Sequence, residues 1–217
     1  MNTSILIDKT VEFVKNTLKE AEGGHDWWHI YRVWKLAIHI NKVEGANDVV
    51  VQLGALLHDI ADSKFNNGDE TVGPKVAREF LESQLVDLNI INQVIYIIDH
   101  ISFKGGFSLT NKTSLELKVV QDADRLDAIG AIGIARAFNY GGFKNRVMHD
   151  PSVAPALYAD KEAYKSNNAP TINHFYEKLL LLKDKMNTTT GKQLAEERHA
   201  FMETYLSQFY AEWEGDK

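Results

Sequence analysis

Val49-Val50-Val51-Gln52-Leu53-Gly54-Ala55-Leu56-Leu57 runs directly into His58-Asp59. Gln52 is the only strongly polar residue in the first nine. Asn47 stands just ahead, with a side-chain oxygen suited to accept from an early backbone N–H. The stretch therefore predicts a strongly apolar helix that delivers a His-Asp pair at its C-terminal end. Burying such a pair costs several kcal/mol unless both groups are satisfied. A divalent cation satisfies both, because imidazole suits transition metals and the carboxylate adds charge. A helix-end histidine beside a solvated aspartate is the alternative reading of the dipeptide.

Helical spacing recurs outward from this segment. Ile7, Val11, Val14 and Leu18 mark a helix over about 5–20. A second is expected over Trp27–Asn41. A fourth starts near Pro74, a favourable first-turn residue, and covers Val76–Leu85. Asp87 can cap a fifth over Leu88–Ile101, and a sixth is expected from about Leu115 to Ala137. Asn139-Tyr140-Gly141-Gly142 reads as its stop, with an irregular segment to about Pro170. Two helices then follow, about Thr171–Met186 and Gly191–Trp213, joined by the polar turn Asn187-Thr188-Thr189-Thr190-Gly191. Strand alternation is scarce and no linker or repeat is evident. The expected fold is all-α, a single domain over residues 1–217.

Composition narrows the function. The 217 residues include no cysteine, which excludes disulfides, thiolate metal sites and cysteine nucleophiles. The net charge of −6 repels polyanions and argues against extended nucleic-acid binding, though not against a small anion at a local basic or metal site. No stretch reaches the roughly 18 apolar residues of a membrane span. Met1 to Lys9 lacks a basic region followed by an apolar run, so no secretory signal is expected and a cytoplasmic location is.

Three further segments carry chemistry. His25 and His29 lie four apart, with Arg32 one turn beyond His29, and the aromatic surface of Trp27, Trp28 and Trp34 weighs against a wholly solvated helix face. Asp26 is placed to cap this helix. Asp122, Asp124 and Asp127 fall within six residues between apolar flanks, where self-repulsion calls for counter-charges such as Arg125 or a metal. Asp99-His100 ends an apolar helix much as His58-Asp59 does. His149-Asp150, just before Pro151, reads instead as a surface turn.

Taken in order, His29, His58-Asp59 and Asp124 resemble the motif set of the HD-domain metal-dependent phosphohydrolase superfamily. The likeness extends through His29-Ile30-Tyr31-Arg32-Val33, Leu56-Leu57-His58-Asp59-Ile60 and Ala123-Asp124-Arg125-Leu126. The segments Gly24-His25-Asp26-Trp27, Asp62-Ser63-Lys64-Phe65, His100-Ile101-Ser102-Phe103 and Glu197-Arg198-His199-Ala200-Phe201 resemble its small bacterial single-domain branch, over about residues 20–215. Four ordered motifs are far more specific than one dipeptide.

The resemblance implies a helical HD core over about 20–140 with a C-terminal helical extension over about 141–217. It implies His29, His58, Asp59 and Asp124 as ligands of one divalent ion: manganese, iron, cobalt, nickel, magnesium or zinc. Asp122 stands close enough in sequence to join or replace Asp124. Asp62, three residues after Asp59, is the first candidate to position or deprotonate water. His25 and His100 are candidates to meet phosphate or a leaving group. Arg32, Lys64, Lys104 and Arg125 are candidate phosphate contacts, and Tyr140, Phe143, Lys144, Tyr158 and Tyr164 could line a base or sugar pocket.

The implied activity is phosphohydrolysis of a small nucleotide, with nucleoside triphosphate going to monophosphate and pyrophosphate. Nucleoside monophosphatase activity is the near alternative, and a non-catalytic metal- and nucleotide-binding sensor the alternative of another class. Guanosine-pyrophosphate hydrolysis is disfavoured because no Glu-Asp pair follows His58-Asp59, and cyclic-dinucleotide hydrolysis because no Gly-Tyr-Pro occurs. A homodimer is a candidate assembly, without a specific sequence signal.

Overall fold

The computed structural model describes residues 2–19, 26–60, 69, 71–101, 113–156 and 169–217. Among these residues all regular structure is helical, as the spacing predicts. None of the described helices is long and apolar enough to cross a membrane. The chain divides into two compact units, Met1–Asp124 and Arg125–Lys217.

The first unit contains α1 (Thr3–Thr17), α2 (Trp27–Glu44), α3 (Asp48–Leu57), α4 (Val72–Ser83), α5 (Leu88–His100) and most of α6 (Leu115–Asp127). Helix α3 forms its centre, packed against α1, α2 and α5. Val50, Val51, Leu53, Leu56 and Leu57 on α3 are fully buried. Each such side chain contributes about 1.5–3 kcal/mol on burial. Gly54 permits the approach of α5, since a Cβ there would lie 2.8 Å from Ile97 Cδ1. Asn47 caps α3 as expected, its Oδ1 accepting from Val50 N–H at 3.3 Å. Its own N–H donates to Glu116 Oε1 of α6 at 3.1 Å. The link from α2 to α3 is stiff, because buried Asn41 bonds both the N–H and the carbonyl of Ala46.

The second unit contains α7 (Gly130–Phe143), α8 (Asn173–Glu177), a 3₁₀ segment (Leu179–Lys185) and α9 (Thr189–Glu214). Helix α9 packs on α7 and on the 3₁₀ segment. Rings of Phe138, Phe175, Tyr205 and Phe209 cluster with centroids 6.1–6.3 Å apart.

Three expectations need correction. The single helix expected over Leu115–Ala137 is two, α6 and α7, because Ile129 is extended and Gly130 turns left-handed at φ +75°. Side chains hold the break. Arg198 Nη1 donates to the Leu126 carbonyl, and buried Asp127 accepts from Arg136 Nη1 at 2.5 Å. Burial pushes the Arg198 guanidinium below its ordinary range, and the Asp127 carboxylate opposes that shift. Helix α7 then runs on through Gly141-Gly142 to Phe143, beyond the expected stop at Asn139.

The helix expected over Thr171–Met186 survives only as α8. Lys178 leaves helical geometry at φ −145°, ψ −55°, and the chain continues as the 3₁₀ segment. Four consecutive leucines, Leu179 to Leu182, cannot share one helix face, and here Leu179 is buried while Leu181 is exposed. The third correction is His149. Asp150 does form a turn, its Oδ1 accepting from the Ser152 N–H and hydroxyl. The His149 ring, however, packs edge-on against Phe209, Tyr210 and Trp213 of α9, with centroids 5.0–6.0 Å away.

Candidate metal centre

His29 lies in the first turn of α2. The Asp26 cap anticipated from the sequence is present, and its Oδ1 accepts from the His29 N–H itself at 3.0 Å. This fixes the backbone of His29, whose side chain is buried on the inner face with Ile30 and Val33. Of the tryptophans, Trp27 and Trp34 are half-buried, and Trp34 Nε1 donates to Gln52 Oε1 of α3 at 3.1 Å. Trp28 and Tyr31 are exposed and form an edge-to-face pair 5.9 Å apart.

His58 is the C-cap residue of α3 and is buried. Its Nδ1 lies 2.9 Å from the Ala55 carbonyl. A carbonyl only accepts, so in the neutral ring Nδ1 carries the proton and Nε2 offers a lone pair. That Nε2 is buried with no hydrogen-bond partner among the described residues. Such an orphan is rare in a folded interior and marks a group built for something else.

Around it stand the other predicted ligands. One donor atom each from His29, His58 and Asp59 lie within 4.8 Å of one another. The two rings are 5.3 Å apart at 71°. Asp124 reaches them from α6, its Oδ1 3.5 Å from His29 Nε2 and 3.9 Å from His58 Nε2. Donor atoms about 2.0–2.2 Å from a shared cation lie at most about 4.4 Å apart, so small side-chain adjustments close the set. Two imidazoles, one of them with an orphaned buried nitrogen, and two carboxylates fit a divalent cation of the borderline class. Asp124 is about one-third exposed. Asp122 is fully buried and already engaged within the protein.

The remaining predicted residues are placed as follows. His100, the last residue of α5, is half-buried. Its Nδ1 lies 2.8 Å from the Tyr96 carbonyl and its ring stacks on Tyr96 at 4.1 Å. Arg32 is half-buried on α2, one turn after His29. Arg125 belongs to the second unit, where Nη1 donates to the Lys185 carbonyl at 2.6 Å. His25, Asp62, Lys64, Lys104, Tyr158 and Tyr164 lie outside the described residues. The sequence reading did not single out Gln121. Its Nε2 donates to the His100 carbonyl at 2.9 Å, and the signal available for it was its place one turn before Asp124.

A helical framework that gathers a histidine, a His-Asp pair and a distant aspartate defines a class. The HD domain family model matches residues 27–129, which span all four of these residues, and the chain belongs to the HD-domain family. The YpgQ protein of Bacillus subtilis is 40% identical over 201 residues, covering 90% of this chain and 88% of that protein. The crystal structure of an HD-superfamily hydrolase from Bacillus thuringiensis superposes with a TM-score of 0.80 at 44% identity. That match covers 99% of this chain and all of the other. Bacillus subtilis YpgQ in complex with ADP superposes with a TM-score of 0.76 at 37% identity, covering 98% of this chain and 97% of that one.

Proposed function

We propose that the protein is a metal-dependent phosphohydrolase that converts a nucleoside triphosphate to its monophosphate and pyrophosphate. The observation that carries this reading is the buried His58 Nε2, without a hydrogen-bond partner among the described residues, beside His29, Asp59 and Asp124. The ADP complex of a 37% identical relative supports a nucleotide as ligand. His29, His58, Asp59 and Asp124 would hold one divalent ion, drawn from manganese, iron, cobalt, nickel, magnesium or zinc. Such an ion, when bound, lowers the pKa of water and draws charge from phosphoryl oxygens.

The chain's own residues do the rest. Asp62 orients the attacking water and takes its proton as the water oxygen bonds to phosphorus and the bridging P–O bond breaks. Arg32, Lys64, Lys104 and Arg125 hold phosphate oxygens. His25 and His100 meet the phosphate or the leaving group. The catalytic core spans about residues 20–140 of one HD domain, extended by about 141–217. The enzyme acts in the cytoplasm on a small substrate and not on extended nucleic acid, with a homodimer as its candidate assembly.

Phosphorus NMR tests this directly. Metal-stripped protein is reloaded with manganese and mixed with nucleoside mono-, di- and triphosphates. Pyrophosphate from a triphosphate, lost in Asp59→Ala, is the expected result. Orthophosphate from monophosphates alone would replace the reading with a phosphatase. Absence of turnover across several metals, with metal bound, would replace it with a sensor.

A further inference from the structure

We infer that Gln121 is a positioning residue: its side-chain amide fixes the end of α5, and with it the His100 imidazole, against the turn of α6 that carries Asp124. The functional half of this inference rests on the phosphohydrolase reading above, and the structural half on geometry alone.

The last carbonyls of a helix have no intrahelical donor. At the end of α5 the His100 carbonyl is met by Gln121 Nε2 at 2.9 Å. The assignment of the amide is unambiguous, because a carbonyl only accepts and so the NH₂ group must face it. Gln121 and Asp124 stand three residues apart on α6 and therefore share a face, about 4.5 Å apart along the axis. One face of α6 thus places Asp124 by the two buried histidines and, one turn earlier, holds the terminus of α5.

The His100 ring is oriented on that terminus by contacts within α5. Nδ1 lies 2.8 Å from the Tyr96 carbonyl, and the ring lies over the Tyr96 ring at 4.1 Å with 27° between planes. A neutral ring that donates from Nδ1 presents Nε2 as its lone-pair nitrogen. His58 does the same from the end of α3, with Nδ1 at the Ala55 carbonyl. The two helices share one device: a histidine at the end of an apolar helix, its Nδ1 committed to a backbone carbonyl of the preceding turn. They differ in support. His58 is buried, whereas His100 is half-buried at a terminus, where helices fray. Tyr96 belongs to the same helix and moves with it. Gln121 ties the His100 main chain to α6.

The test uses Gln121→Met, which keeps the side-chain length and removes both N–H groups, with Gln121→Ala as the second variant should the first fail to fold. Nitrogen-15 NMR of the histidine rings should show His100 change from one tautomer to an averaged signal, with the His58 signals unmoved. Manganese affinity should stay within about twofold. With nucleoside triphosphate, kcat should fall about 10- to 100-fold while KM changes little, since small misplacements of this kind carry penalties of that order. In a His100→Ala background the second substitution should add less than about twofold. Unchanged His100 ring signals in both folded variants would overturn the inference, as would an equal loss of kcat with and without His100. If the wild-type protein turns over no nucleotide, the phosphohydrolase reading fails, and the ring signals alone then decide whether Gln121 positions His100.

Discussion

Replacement of His58 by leucine should reverse its effect on stability when a divalent cation is added. In chelator, wild-type His58 keeps a buried Nε2 without a partner among the described residues, at a cost of about 1–3 kcal/mol. Leucine removes that orphan and also the Nδ1 bond to the Ala55 carbonyl, worth about 0.5–1.5 kcal/mol net. The metal-free variant should therefore match the wild type or exceed it by up to about 2 kcal/mol. At 100 times its dissociation constant, manganese should stabilise the wild type by about 2.7 kcal/mol. For a chain of this length that is a rise of about 5–11 °C in the thermal midpoint. The variant, short of one of four donors, should gain less than about 2 °C. Differential scanning calorimetry in chelator and in manganese measures both legs. A variant more than about 1 kcal/mol less stable in chelator would show that Nε2 has a partner in the fold. An equal manganese shift in both proteins would show that His58 is not a ligand.

Two other perturbations act in the second unit. Asp127→Ala takes the buried carboxylate from Arg136 and should cost about 3–5 kcal/mol, read as a lower urea midpoint at unchanged slope; a loss below 1 kcal/mol would contradict the pairing. Burial, with Lys178 and Arg146 nearby, holds His174 down to about 4 in the folded protein against an ordinary 6.5. The unfolded chain therefore binds this proton first as pH falls, and stability should drop between about pH 6.5 and 4 by about 3 kcal/mol. His174→Gln should flatten that part of the urea-stability profile, and an unchanged slope would place the proton uptake elsewhere.

The parts of this molecule legible in its sequence are those where one local signal suffices. The α3 segment is apolar on every side and capped by Asn47, so its burial follows from composition. Asp26 and Asp87 announce helix starts by chemistry alone, and both accept the expected backbone N–H. The ligand candidates were legible as an ordered set of motifs, and the fold brings their side chains together. What escaped depends on partners distant in sequence. The break between α6 and α7 looks like continuous helix because its cause includes Arg198, 72 residues beyond Leu126. His149 reads as a surface residue until Phe209, Tyr210 and Trp213 close around it. Gln121 was hidden for the same reason, since its acceptor is a main-chain carbonyl 21 residues away.

On the proposed reading one centre takes both a cation and a phosphate, and its electrostatics set the order in which they bind. With the two imidazoles neutral, as ligation requires, His29, His58, Asp59 and Asp124 carry two negative charges. His58 also caps the C-terminus of α3, where the helix dipole places further negative potential. The whole chain adds a net charge of −6. Without a cation this locus repels a polyphosphate and attracts a metal. A divalent ion brings the four-residue set to neutrality, and only then can cationic side chains such as Arg32 act on an incoming phosphate without opposition. Nucleotide affinity should therefore depend on the metal more steeply than contact between phosphate and metal alone requires. Isothermal titration of a triphosphate into Asp124→Asn, one negative charge lighter, separates the two effects. If repulsion dominates without metal, the variant binds nucleotide more tightly than the wild type in chelator. If direct metal contact is the whole of the dependence, the two proteins bind equally weakly there.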